Sequence, residues 1–274
     1  MSQDPDKQPL WRRLPVQLGA VVVTAAVTAT VTWAVTRGLD EGSEAVTGDP
    51  PITISVEDDP ARVYAPTDPG WQTYGFVSER TRDDLDDPPS QLCREWRTWA
   101  LGQGGIDADQ TRLYVFLQGK PNTAVAITGL EVEFTRRARA LTGTHAWCPT
   151  GGAAASPNLA AVDLDKKPPT IRYAQRGDDF PGRSRLHLTL NGTETETVEL
   201  TARTRRCDCE WRARVFMVVN GKKHEQVIDN DGRPFRTTAS SRSKHVQWDG
   251  ERWAPMSRAE WEQTLPMDPS QLGP

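Results

Sequence analysis

Residues 204–219 read TRRCDCEWRARVFMVV and set Cys207 and Cys209 one residue apart at the mouth of a strand-like run. Cysteines so placed can serve as a zinc thiolate site, a catalytic thiolate or a structural disulfide. Structural zinc sites use C-x2-C pairs, which the chain lacks, and none of its histidines, His145, His187, His224 and His245, stands in an H-E-x-x-H spacing. A catalytic thiolate needs a free sulfur and a neighbouring base. The remaining cysteines are Cys93 and Cys148, and all four follow an apolar segment at 16–36. Beyond a membrane the compartment is oxidising, so Cys93, Cys148, Cys207 and Cys209 are expected to form two disulfides. Residues two apart on a flat strand lie about 6.5 Å apart with parallel Cβ bonds. A Cys207–Cys209 bond is therefore the least expected of the three connectivities. Each member of the pair is expected to bond Cys93 or Cys148, in an order left open, with roughly 4 kcal/mol per long loop closed.

The elements that position these sulfurs follow from periodicity. In 207–219 the odd residues, Cys207, Cys209, Trp211, Ala213, Val215, Met217 and Val219, form one apolar face. Asp208, Glu210, Arg212 and Arg214 occupy the start of the other. Similar short runs at 111–118, 123–138, 170–174, 185–190, 196–205, 223–229, 234–239 and 245–250 predict about eight to ten strands. The apolar parity changes across Gly129, which predicts a bulge. Leu186, Leu188, Leu190, Val198 and Leu200 share one parity, which predicts a hairpin across Asn191-Gly192. Two short helices are expected, one from Ser90 to Gly102 and one opened by a Ser257–Glu260 capping box. The body reads as mainly β, an antiparallel β-sandwich of immunoglobulin-like kind over 71–256, followed by a short helix and tail at 257–274.

VQLGAVVVTAAVTATVTWAVT, residues 16–36, carries no charge and is about 30 Å long as a helix, the thickness of a hydrocarbon core. Lys7, Arg12 and Arg13 precede it, so a cytoplasmic tail (1–15), a single transmembrane helix and an extracellular body are expected. It exceeds the usual apolar length of a cleaved signal peptide and no clean A-x-A site follows, which favours a retained anchor. Ala20, Thr24, Thr28, Thr32 and Thr36 form a stripe of small residues that would allow homodimerisation through the membrane helix; the plainer reading is Thr bonding back to its own helix. Residues 37–70, rich in Pro, Gly and Asp, read as an acidic stalk, interrupted by extended runs at 52–56 and 73–77 that can pack on the body. Thirteen acidic residues against Arg62, Arg80 and Arg82 over 40–87 join a mildly basic body, without the dense basic face of a nucleic-acid binder.

Other chemical motifs are thin. The acidic turn at 83–90 and DNDG at 229–232 lack calcium-loop spacing. Ser241-Arg-Ser-Lys244 stands without its companion motifs. His145 reads as a loop histidine beside Cys148, and His187 as solvent-facing. Trp248, Trp253 and Trp261 suggest an aromatic patch, more simply core packing under the last helix. His145, Cys207 and Arg214 resemble in order the reactive residues of sortase-like transpeptidases, but RTRRC at 203–207 replaces Thr-Leu-x-Thr-Cys.

GLEVEFTRRARALTGTHAWCPTGG, VDLDKKPP, CEWRARVFMVVNG, PFRTT and WDGERW together resemble an uncharacterised actinobacterial family of single-pass membrane proteins, over about residues 90–255. The resemblance implies an anchored, strand-built exported body and no established activity. The sequence thus leads to a non-enzymatic module at the cell membrane, without cofactor, metal site or nucleic-acid partner, whose ligand is an unidentified protein or envelope component. The alternative is a sortase-like cysteine transpeptidase.

Overall fold

The computed structural model describes residues 50–63, 74–89, 95–148, 158–175 and 186–265. The expected membrane helix at 16–36 with Ala20, Thr24, Thr28, Thr32 and Thr36, the cytoplasmic tail, most of the stalk, and Cys93 lie outside the described residues. In chain order the strands are β1 (Ile52–Glu57), β2 (Tyr74–Ser78), β3 (Ile106–Ala108), β4 (Gln110–Gly119), β5 (Ala124–Arg139), β6 (Thr144–Cys148), β7 (Asn158–Asp163), β8 (Thr170–Gln175), β9 (Leu188–Asn191), β10 (Thr195–Arg203), β11 (Cys207–Val219), β12 (Lys222–Ile228), β13 (Phe235–Thr238), β14 (Lys244–Trp248) and β15 (Trp253–Pro255). The helices are α1 (Pro60–Val63), α2 (Trp96–Gly102) and α3 (Arg258–Thr264).

These strands form two sheets. The smaller runs β1-β4-β10-β7-β8; the larger runs β15-β14-β6-β2-β3-β13-β11-β5-β9, with β12 beside the far half of β11. They pack face to face because each presents one apolar parity. Ile52, Leu113, Leu117, Val162, Val198 and Leu200 from the small sheet meet Val125, Ile127, Leu190, Trp211, Val215 and Met217 from the large one in a single buried cluster. The expected two-sheet sandwich is thus present. Three pairs, β7 with β10, β3 with β13 and β6 with β14, are parallel, which an antiparallel reading did not anticipate.

Several local readings hold, and others are corrected. β11 has the expected bounds, and its odd residues are all buried. A register shift opposite Gly129, between Phe216 and Met217, is the expected bulge; a second lies between Glu210 and Trp211. The run at 52–56 within the expected stalk is β1, an edge strand of the small sheet whose Ile52 and Ile54 enter the core. The hairpin across Asn191-Gly192 does not form: β9 pairs with β5 and β10 with β4, in different sheets. Leu188, Leu190, Val198 and Leu200 still share one core, because the turn passes the chain across the sandwich and both sheets point that parity inward. A Cβ on Gly119 would collide with the Gly192 carbonyl, so the two backbones touch at this crossing.

The large sheet extends beyond the small one. Its inner face there is covered by α2, whose Trp96 and Ala100 are buried against Phe76, Ala146, Val246 and Trp248. Its outer face is covered by α3, held at its start by the expected capping box: Ser257 Oγ accepts from Glu260 N at 3.3 Å and Glu260 Oε2 from Ser257 N at 2.6 Å. Asp109, at φ 61°, turns the chain between β3 of one sheet and β4 of the other, a left-handed position Asp tolerates. Tyr173 Oη accepts from Leu130 N at 3.0 Å and donates to Leu130 O at 3.2 Å, bonding backbone of β5 from the opposite sheet.

Candidate functional site

The first cluster is the corner where β11 begins. Cys207 and Cys209 are bonded to each other, against the expectation that each reaches a distant partner. The estimate from a flat strand failed because the backbone is contracted here, to a Cα–Cα distance of 5.5 Å, just before the bulge after Glu210. Both sulfurs face the sandwich core and are buried. Cys148 is disulfide-bonded too. Thr204 Oγ1 accepts from Cys207 N at 3.1 Å and donates to Asp165 Oδ1 at 2.8 Å, tying the corner to the loop after β7.

Between the two cysteines Asp208 points to the outer face, where it is almost wholly covered by two arginines. Arg236 Nε and Nη2 donate to its two oxygens at 2.8 Å each, and Arg136 Nη2 donates at 2.6 Å. Burial opposes the charged form, but the hydrogen bonds from Arg236 and Arg136 more than offset it and hold the carboxyl below its usual range. Arg136 also reaches Glu210 at 2.8 Å. Farther along, Arg214 bridges Glu133 at 3.1 Å and Glu225 at 3.2 Å. Paired charges of opposite sign thus lace this outer face.

The second cluster lies under α3. His145 is not a loop histidine: it belongs to β6 and is buried, its Nδ1 3.0 Å from Nδ1 of His245 on the neighbouring β14. One of the two nitrogens donates and the other accepts, so the accepting ring is neutral as paired. Burial, and then the charge of His245, push the His145 pKa down to about 3; burial lowers that of His245. Trp261 of α3 stacks on His245 at 4.4 Å between centroids, and its Nε1 donates to Ser240 Oγ at 2.8 Å. Ser240 donates in turn to Asp109 Oδ2 at 2.5 Å, and its backbone N to Oδ1 at 2.8 Å. Burial raises the Asp109 pKa to about 6 despite the hydrogen bonds from Ser240. Ser240 is fully buried, so this serine and carboxylate close a loop crossing and offer no exposed nucleophile.

The third cluster is aromatic, on the inner face under α2. Trp99 and Trp253 stack at 6.1 Å and 17°, with Trp96, Trp248 and Phe76 packed edge-on or tilted around them. Trp248, Trp253 and Trp261, read as core packing under the last helix, are packed as core but not together: the first two join this stack, while Trp261 covers the opposite face of the sheet. Sequence periodicity missed this grouping because Trp96 and Trp99 come from a helix and β15 is only three residues long.

The reactive triplet His145, Cys207 and Arg214 is not assembled. β6 and β11 are separated by β2, β3 and β13 in the strand order. His145 faces outward under α3, whereas Cys207 faces the core and is bonded. His187 is exposed, as expected. Asp229 Oδ1 of DNDG accepts from Gly232 N at 2.9 Å, a turn interaction. Among the described residues no group of three or more metal-ligating side chains converges.

Fold and site define the class of the body: a mainly β, two-sheet protein braced by disulfides and cross-strand ion pairs. No protein-family model, curated protein or solved structure matches the chain.

Proposed function

We propose that the chain is a membrane-anchored, extracytoplasmic binding module without catalytic activity, single-pass, with its N-terminus in the cytoplasm and its body outside. The observation that carries this reading is the fate of the reactive side chains. Cys207 is consumed by Cys209, His145 by His245, and Ser240 by Asp109 and Trp261. Each pairing serves packing at a strand corner or under α3, and the one hydroxyl that stands beside a carboxylate, Ser240 at Asp109, is fully buried. Oxidised cysteines suit the compartment that the charges flanking 16–36 indicate. The resemblance to exported actinobacterial proteins agrees with it. The immunoglobulin-like element of the reading rests on the two-sheet packing alone; the parallel pairs depart from that organisation.

In this reading the body presents its surface to a partner protein or envelope component, and no cofactor takes part. Alkylation of the full-length chain purified from membranes under denaturing, non-reducing conditions tests it against the sortase-like alternative. The module reading expects four blocked cysteines. A single reactive thiol at 207 or 209 in the native protein would replace it with the transpeptidase reading. Cross-linking in intact cells, followed by purification of the full-length chain, then identifies what the module holds.

A further inference from the structure

The Asn220-Gly221 turn, with φ of 47° and 84°, joins β11 to β12 as a two-residue hairpin of the kind that flanks its loop with a hydrogen-bonded pair, here Val219 and Lys222. Hydrogen-bonded and non-bonded pairs then alternate. Lys222, His224, Gln226 and Ile228 direct their backbone groups to β11, and Lys223, Glu225 and Val227 direct their N–H and C=O away from it. Among the described residues β12 pairs with β11 alone, and at seven residues it is the longest strand with a single partner. Its side chains at 222, 223, 225 and 227 are exposed.

A free edge of this kind is usually guarded by lysine, since like charges repel a second strand. Here a lysine and a glutamate alternate along the open edge, and that pattern complements itself. Two copies running antiparallel bond through their outward-directed residues, so only registers that pair odd positions with odd positions satisfy both backbones. Centring on Glu225 sets the two carboxylates opposite each other, which is unfavourable. Centring on Gln226 sets Glu225 against Val227 and carries the pairing past the end of β12 at Ile228. Centring on His224 sets Lys223 of each copy against Glu225 of the other, in two hydrogen-bonded pairs. Glu225 already holds Arg214 at 3.2 Å, so the lysine of the second copy would complete a row that continues to Glu133.

We propose that β12 is a homodimerisation edge: two copies of this chain pair antiparallel through it about a twofold axis at His224, Lys223 of each facing Glu225 of the other. The proposal is independent of the anchor and of the ligand discussed above. In this register the two His224 residues form a non-hydrogen-bonded pair, with Cα atoms about 4.5 Å apart, within disulfide range.

The test uses the full-length chain in detergent micelles under mild oxidation, with dimer yield read on a non-reducing gel. His224→Cys is expected to form a covalent dimer at least tenfold faster than Glu225→Cys. Adding Glu225→Lys to His224→Cys is expected to abolish most of that dimer, and adding Lys223→Glu as well to restore it. The restored triple variant shows that Glu225→Lys acted through charge opposition and not through misfolding. Equal cross-linking at 224 and 225, a yield insensitive to Glu225→Lys, or failure of the charge swap to restore it would each overturn the proposal.

Discussion

Replacing Asp208 by Asn keeps the shape of the side chain and removes the charge that two arginines enclose. Three hydrogen bonds of 2.6–2.8 Å converge on this carboxylate, whose side chain is 2% exposed. Breaking one partner of a buried ion pair costs about 3–5 kcal/mol. Arg136 and Arg236 are 41% and 35% exposed, so water reclaims part of their charge, and about 2 kcal/mol is the expected loss. For a body of this size that corresponds to a fall of roughly 4–8 °C in Tm, read by thermal unfolding of the full chain. The pH dependence carries the sign. The folded carboxyl titrates below its unfolded value, so its contribution is whole above the unfolded pKa near 3.9 and is lost as pH falls through the folded pKa. The gap between wild type and Asp208→Asn is thus constant from about pH 8 to pH 5 and closes at lower pH. A variant within 0.5 kcal/mol (about the error of the method) of wild type at pH 7, or a gap that persists in acid, would refute the reasoning.

Other outcomes follow from the same geometry. The Cys207–Cys209 bond closes a loop of only three residues, so Cys207→Ala with Cys209→Ala should lose roughly 1.6 kcal/mol of loop entropy, far less than the long closures expected from sequence; denaturant midpoints measure it. Gly119→Ala should destabilise by about 1–3 kcal/mol because its methyl meets the Gly192 carbonyl, whereas Gly129→Ala, with open space around it, should be near neutral; thermal unfolding compares the two. Asp109 should keep its proton to about pH 6 in the folded state, so its contribution to stability falls as pH rises from the unfolded value toward 6; its carboxyl carbon resonance, followed by NMR, should titrate there and not near 3.9.

Most strands were legible because burial on one face writes period-two alternation, clearest over Cys207–Val219 and Ala124–Arg139. Gly129 marked its bulge through a parity change, and Ser257 with Glu260 marked α3 through capping chemistry. β3, β6, β7 and β15 escaped notice: β3 and β15 are only three residues long, and β7, NLAAVD, carries alanines where the strand signal relies on β-branched and aromatic residues. Residues 144–148 are buried at four positions of five, so β6 shows no clear polar face, and His145 was misplaced with it. The sheet assignment of β9 and β10 was illegible because inward parity is the same whether a turn closes a hairpin or crosses the sandwich. The Cys207–Cys209 bond was missed because spacing rules describe a flat strand, and the contraction that closes it is a property of this corner. The meeting of His145 with His245 and of Ser240 with Asp109 joins residues more than 90 positions apart, which no local pattern records.

The measurement that bears most directly on the account is topology. Lys166 is exposed in the loop after β7, and Asp4 precedes the apolar segment. With the native cysteines paired, a cysteine introduced at either position is the reactive thiol. In intact cells a membrane-impermeant maleimide should label Lys166→Cys at once and Asp4→Cys only after the membrane is opened. Labelling of Asp4→Cys in intact cells with Lys166→Cys protected would contradict both the placement of the body and the binding role proposed for it.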